Sequence, residues 1–264
     1  MADHIITLTT DFGTSSPFVA ALKGVMLSIN PAARIVDLSH DIPPHDLRHV
    51  SFFLAESLPF FPPGTLHVVV VDPEVGTARN ILFVHVAGQR LLVPDNGCWT
   101  LLAEGQTQPL RVIRLTESRF WRPIVSPTFN GRDIFAPVAA YLSVGVSPSE
   151  LGPAVTEWRQ LAWPAPHRHA DSIDGEVIFV DTFGNLITNI PGHALAHHPR
   201  ARLHLTVGST VVPRKVRTYT EAPDGELVSL ISSSGLLEIA EVRGNAARRL
   251  GLRVGAPARV EWKQ

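Results

Sequence analysis

The chain of 264 residues carries a single cysteine, Cys98. One thiol excludes an internal disulfide and fits a reducing compartment. An excess of either charge is also missing: 23 Lys and Arg against 24 Asp and Glu leave a net charge of -1. Such a balance offers no general attraction to nucleic acid or to an anionic membrane surface. Long apolar runs are absent, the densest being "LHVVVV" (66–71), far short of a membrane span. The opening "MADHIITLTTDFG" has an acid followed by strand-like alternation where a leader needs basic and then apolar residues, so a cytoplasmic location is expected. Three catalytic signatures are missing as well: the G-x-S-x-G elbow, the Walker A loop and the G-x-G-x-x-G fingerprint. What remains is 45% hydrophobic and 18% charged residues, the balance of a folded chain with one large or two ordinary domains.

The first half alternates strand and helix. "HIITLTT" (4–10) and "RIVDLS" (34–39) read as strands. Between them Pro17 suits a first helical turn, and Val19, Leu22, Val25 and Met26 follow helical spacing. "DLRHVSFFLAESL" (46–58) reads as an amphipathic helix, and "LHVVVVD" (66–72) as a strand buried on both faces. "NILFVHV", "RLLVP" and "LRVIRL" add shorter strands, and "RDIFAPVAAYLSVG" reads as a helix despite Pro137. This rhythm predicts an α/β domain over 1–153, with a mixed or parallel sheet flanked by helices. Residues 154–172 are rich in Pro and His and read as a linker. Over 173–264 short segments ("GEVIFVD", "ARLHLTVG", "KVRTYTEA", "ELVSLIS", "GLLEIAE", "ARVEW") predict a small β-barrel or sandwich, with one short helix at "NAARRL".

Candidate chemistry concentrates at strand ends. Asp11 follows the first strand and Asp72 the most buried one, where open α/β sheets bind ligands. The bland alternatives are a local turn for Asp11 and an extended residue before Pro73 for Asp72. "SPTFNGRDIFAP" (126–137) gathers Thr128, Asn130, Arg132 and Asp133 around Phe129 and Gly131, as a helix cap or as one wall of a site. "VDTFGNLITNI" gathers Asp181, Thr182, Asn185, Thr188 and Asn189, as a polar hairpin or as a second wall. His193 and His197 stand four apart in "GHALAHH" but lack a third ligand, so they read as solvated histidines, and no metal is expected.

Five segments in order, "TTDFG", "DPEVGTAR", "PTFNGRDIFAPVAA", "VDTFGNLITNI" and "GLLEIAEVRGNAA", give the chain its resemblance. It resembles the S-adenosyl-L-methionine hydroxide adenosyltransferases, relatives of the bacterial fluorinase and chlorinase. The likeness covers nearly the whole chain and is weakest in the linker. It implies an N-terminal α/β domain, a C-terminal β-barrel and a homotrimer with sites between subunits. It also implies displacement at the ribose C5′ of S-adenosyl-L-methionine, with water giving adenosine and L-methionine and no cofactor. No nucleic acid or membrane partner is expected.

By that likeness Asp11 holds the ribose hydroxyls, while Phe183 and Tyr219 sandwich the adenine. Asn245 and Ala246 meet the adenine edge, Asp181, Asn185 and Ser233 take the methionine end, and Phe129 lines the wall beside C5′. Hydrolytic members carry an Asp, an Arg seven residues later, and a His in "TF-x-G-R-D". Asp72 and Arg79 match the first two, and Asn130 replaces the third. If that His takes the proton from water, its loss costs about 10²–10⁴ in rate; if it only orients water, the loss is smaller. A non-catalytic protein that binds adenosine or S-adenosyl-L-methionine is one alternative. A halide-using transferase is the other, disfavoured because halogenating relatives put an aromatic residue where Asp72 stands.

Overall fold

The computed structural model describes residues 5–196 and 202–263. The chain divides into two compact units, Met1–Leu161 and Ala162–Gln264. In the first, the elements run β1 (Ile5–Thr10), α1 (Phe18–Ile29), β2 (Arg34–Ser39), α2 (Leu47–Ser57), β3 (Leu66–Val70), β4 (Ile81–Val86) and β5 (Gln89–Pro94). They continue with α3 (Thr100–Ala103), β6 (Arg111–Arg114), α4 (Ala136–Ser143) and β7 (Ala154–Val155).

The sheet of this unit has the order β2-β1-β3-β5-β4-β6-β7. β1 pairs in parallel with β2 and β3, and β3 with β5, whereas β4 runs antiparallel to both β5 and β6. The expected mixed α/β sheet is therefore present. β3 shows why its sequence is unbroken in hydrophobicity. Leu66, Val68 and Val70 pack into one core with Leu22 and Met26 of α1 and Val138 of α4. Val69 and Val71 pack into another with Val50 and Leu54 of α2. A strand covered on both faces has no polar side to show. α2 begins at Asp46, whose carboxylate accepts from the His49 N–H and satisfies one of the unpaired first-turn donors.

The helix read over "RDIFAPVAAYLSVG" begins with an irregular turn. Residues Gly131–Phe135 form a π-helical turn in which Ala136 N–H donates to Gly131 O, and α4 follows. Pro137 supplies the reason: without an N–H it cannot bond back to Asp133 O. Arg122 N–H donates to that carbonyl instead, at 2.9 Å.

Within the Pro- and His-rich stretch, Trp158 packs on Trp99 with ring centroids 5.2 Å apart. Arg159 N donates to Asp95 and Leu161 N to Thr100. These residues are strapped to the first unit.

The second unit contains β8 (His167–Arg168), β9 (Ser172–Val180), β10 (Leu186–Pro191), α5 (Gly192–Ala196), β11 (Arg202–Val207), β12 (Thr210–Val212) and β13 (Arg214–Lys215). Then come β14 (Leu227–Ile231), β15 (Leu236–Glu241), α6 (Ala246–Leu250) and β16 (Pro257–Lys263). Among the described residues its strands form a nearly closed, barrel-like sheet in the order β12-β11-β16-β9-β10-β15-β14-β13, with β8 paired to β9. Its interior holds Ile173, Val177, Leu186, Leu205, Ile239 and Val260. One expected strand is corrected. "KVRTYTEA" contributes only Lys215 to a strand, and Tyr219–Glu221 is a turn of 3-10 helix opened by Thr218, whose hydroxyl accepts from Thr220 N. No helix among the described residues is long and apolar enough to cross a membrane.

Candidate active site

Two parallel neighbours, β1 and β3, end at the same edge of the first sheet. Thr10 pairs with Val70, so Asp11 and Asp72 emerge one and two residues beyond that pair. Both line a cleft of about 310 Å³, together with Phe12, Phe18, Pro44, His45, Thr128, Phe129 and Asn130. Small-molecule sites span about 300–1,000 Å³, so this cleft holds a small ligand or one part of a larger one.

Asp11 does not make a local turn. Its Oδ2 accepts from the backbone N–H of His45, 34 residues away, at 3.0 Å. The side chain is 9% exposed, which leaves Oδ1 as its open acceptor. Asp72 is both a turn residue and a site residue. Its Oδ1 accepts from Glu74 N at 3.2 Å, and its Oδ2 accepts from Arg79 Nε at 2.6 Å. Arg79 Nη2 also reaches Oδ2 of Asp72 and donates to Asn130 Oδ1 at 2.9 Å. Asn130 Nδ2 donates to Ser126 O at 3.1 Å. Asp72, Arg79 and Asn130 are thus brought together, as the family resemblance implies.

The neighbouring Asp133 ties down this wall. It is fully buried and accepts from Arg132, from Arg122 and from Ser126 N. Burial alone would raise its pKa, but these donors outweigh it and hold the carboxyl below its ordinary value. Phe129 of this wall meets Phe12 and Phe18, and these meet each other, edge to face, with centroids 5.2–6.1 Å apart. Arg132 covers Phe129 at 4.9 Å from its centroid.

The second unit gathers the other candidates. Asp181 Oδ1 accepts from Phe183 N and Asn185 N, and its Oδ2 from Asn185 Nδ2. The loop leans on α6: Gly184 O accepts from Ala247 N, and a side chain at Gly184 would strike Asn245. Asn245 caps α6 by accepting from Arg248 N, and Ala246 is buried beneath. Phe183 is 73% and Tyr219 42% exposed, high for large rings. Tyr219 Oη donates to Glu238 Oε1 at 2.6 Å. Burial is the main cause that raises the pKa of both groups. Ser233 is exposed in the turn between β14 and β15 and makes no hydrogen bond to this group.

Thr188 and Asn189 serve the fold. Thr188 Oγ1 donates to Leu237 O, and Asn189 accepts from Glu176 N and donates to Pro164 O. His193 is exposed, and His197 lies outside the described residues. Sequence reading missed His45, Phe12, Phe18 and Glu238. Only the Pro43-Pro44 pair, a turn signal beside the helix cap, marked the place of His45.

Residues 6–152 match the family model for the SAM hydroxide adenosyltransferase N-terminal domain, and residues 175–259 that for its C-terminal domain. A curated (R)-S-adenosyl-L-methionine hydrolase from Thermus thermophilus is 40% identical over 95% of this chain and 97% of its own length. Another from Salinispora arenicola is 38% identical over 97% of each. A fluorinase from Actinoplanes is 27% identical over 95% of each. Among solved structures, an uncharacterised conserved protein from Thermotoga maritima superposes with a TM-score of 0.90 at 33% identity, covering 97% of this chain and 99% of its own.

Proposed function

The chain belongs to the SAM hydroxide adenosyltransferase family, and from that premise we propose that it hydrolyses S-adenosyl-L-methionine at the ribose C5′, releasing adenosine and L-methionine. The relatives' name specifies the (R) form, and we take that sulfonium epimer as the preferred substrate. The observation that carries the reading is the Asp72 carboxylate at the cleft, joined through Arg79 to Asn130. A carboxylate accepts a hydrogen bond from water and repels a halide, which must already give up its hydration to enter.

In this reading the attacking water donates to the open lone pair of Asp72 Oδ1, and Arg79 holds that carboxylate in place. The C5′–O bond forms as the C5′–S bond breaks, and the electron pair stays on sulfur as a neutral thioether. The balance is one water consumed and one proton released. A neutral leaving group needs no general acid and the displacement no redox partner, so we propose that no cofactor takes part. Asp11 binds the ribose diol and Phe129 lines the wall beside C5′. Phe183 and Tyr219 stack on adenine, which aromatic faces do for any base, while Asn245 and Ala246 meet its edge. Asp181, Asn185 and Ser233 take the methionine end. We further propose a homotrimer in which the first unit of one subunit and the second unit of a neighbour share each site. In support, every residue lining the cleft belongs to the first unit, and the rings of the second unit are exposed. A cytoplasmic location accords with the single cysteine.

The test is hydrolysis of each epimer in ¹⁸O-water, with the products separated and weighed. Label in the 5′-hydroxyl of adenosine supports attack at C5′, and unchanged substrate overturns it. A second reading, adenosine binding without turnover, draws on Asn130, which has no titratable proton and has both ends of its amide engaged. Adenosine affinity without product formation favours it.

A further inference from the structure

We propose that His45 is a ligand-binding residue whose imidazole completes, with Asp11, a clamp for a vicinal diol. The inference rests on the proposed reading of Asp11 as the ribose carboxylate. It begins with a backbone irregularity. Asp46 N–H donates to Pro43 O at 3.0 Å, which closes a four-residue turn with Pro44 and His45 at its centre. His45 has φ +66°. Proline followed by a positive φ is the pattern of a type II turn, whose third position favours Gly or Asn.

The other described non-glycine residues with positive φ, Ala87 and Arg243, each precede a glycine in a turn. His45 instead precedes the cap of α2 and lines the cleft. Strained conformations of this kind persist where the surroundings enforce them, often at ligand sites. Neither fold nor capping calls for an imidazole here. The cap is Asp46, and the contact to Asp11 is made by the backbone N–H, which any residue except proline supplies. The side chain itself is 69% exposed.

The placement of the ring gives it a use. Nδ1 lies 3.8 Å from Asp11 Oδ2, too far for a hydrogen bond. A hydroxyl oxygen seated about 2.8 Å from each atom spans such a gap. It donates its proton to the carboxylate, which only accepts, and accepts from the imidazole N–H. The second hydroxyl of the diol donates to the open Oδ1. Each hydroxyl thus finds an acceptor, and one also finds a donor, so a diol is distinguished from a single hydroxyl.

The test is calorimetric binding of adenosine, 2′-deoxyadenosine and 3′-deoxyadenosine to the full chain and to its His45→Gly variant, with melting curves for both. Glycine relieves the positive φ and keeps the backbone N–H, so the melting temperature should not fall. Adenosine affinity should drop about tenfold, and the preference over at least one deoxy analogue should shrink by the same factor. Equal affinities in the two forms overturn the proposal while leaving the role of Asp11 intact. A uniform loss for all three ligands, with a lower melting temperature, shows a loop-holding role only and also overturns it. Failure of the unaltered chain to bind adenosine removes the proposed function itself and the clamp with it.

Discussion

Arg79 Nη2 donates to Asn130 Oδ1 at 2.9 Å, and this bond fixes which way the amide faces. A guanidinium only donates and the Ser126 carbonyl only accepts, so Oδ1 must lie toward Arg79 and Nδ2 toward Ser126. An imidazole making the same two bonds would commit both nitrogens, one accepting from Arg79 and one donating to Ser126. It would have no lone pair left for a proton from water. We therefore expect Asn130→His to raise hydrolysis by less than about tenfold, below the 10²–10⁴ of a positioned base. Adenosine release against pH is the measurement. A larger rise with a new group titrating between about pH 6 and 7 would show that the imidazole acts as the base.

Breaking the Asp72–Arg79 pair should cost stability as well as activity. Their side chains are 4% and 2% exposed, and a buried charge left without its partner costs about 3–5 kcal/mol. Asp72→Asn keeps the shape and strands Arg79. Urea unfolding should show a loss of that size, and a loss under about 1 kcal/mol would mean the pair is hydrated.

Tyr219 and Glu238 should imprint a pH dependence. Burial, above all, raises Glu238 above its ordinary value of 4.5 and Tyr219 above 10. A group whose folded pKa exceeds its unfolded one favours the fold when protonated. That stability is complete below the unfolded pKa and is lost as pH climbs through the folded one. The contribution of Glu238 therefore declines above about pH 4.5, and that of Tyr219 above about pH 10. Glu238→Gln should flatten the first decline while still accepting from Tyr219, and Tyr219→Phe should abolish the alkaline one. Urea midpoints across this range read both, and parallel profiles for all three proteins would refute the assignment.

Gly184→Ala should disturb the second unit where Phe183 is mounted. Gly184 has φ +84°, and an added Cβ would lie 2.1 Å from Asn245 Cγ. Left-handed backbone costs alanine about 1–2 kcal/mol before any clash. A loss above about 2 kcal/mol, with weaker adenosine binding by calorimetry, is expected.

The proposed sharing of sites between subunits makes a sharper demand. Asp72→Asn and Phe183→Ala should each be nearly inactive alone. Mixed by unfolding and refolding together, they should recover about a quarter of normal activity, because random cyclic assembly leaves that share of sites unaltered. No recovery would mean that each chain builds its own site.

Much of this was legible because the signals were local. α1 and β3 follow from helical spacing and from an unbroken valine run, each reflecting what one element buries. Asp72 was legible from its place at the end of the most buried strand, and Arg79 and Asn130 through the resemblance to the family's motifs. The failures came where distant contacts decide. "KVRTYTEA" has the β-branched and aromatic content of a strand, yet Tyr219 is held by Glu238 on β15, and Arg217 N bonds to Glu221 within a turn. His45 was missed because a histidine in a glycine position shows only once the backbone is seen.

The wide turn at Gly131–Phe135 has a consequence for how this site can change. Such a turn is one residue added to an α-helix, and each residue turns the chain by about 100° around the helix axis. Deleting one residue between Phe129 and Pro137 would swing Asn130 by that angle, away from Arg79, while α4 kept its register against β1 and β3. The spacing here acts as a dial: its setting decides which side chain faces Arg79, and a single-residue insertion or deletion moves it at the cost of re-seating Ile134 and Phe135 in the core.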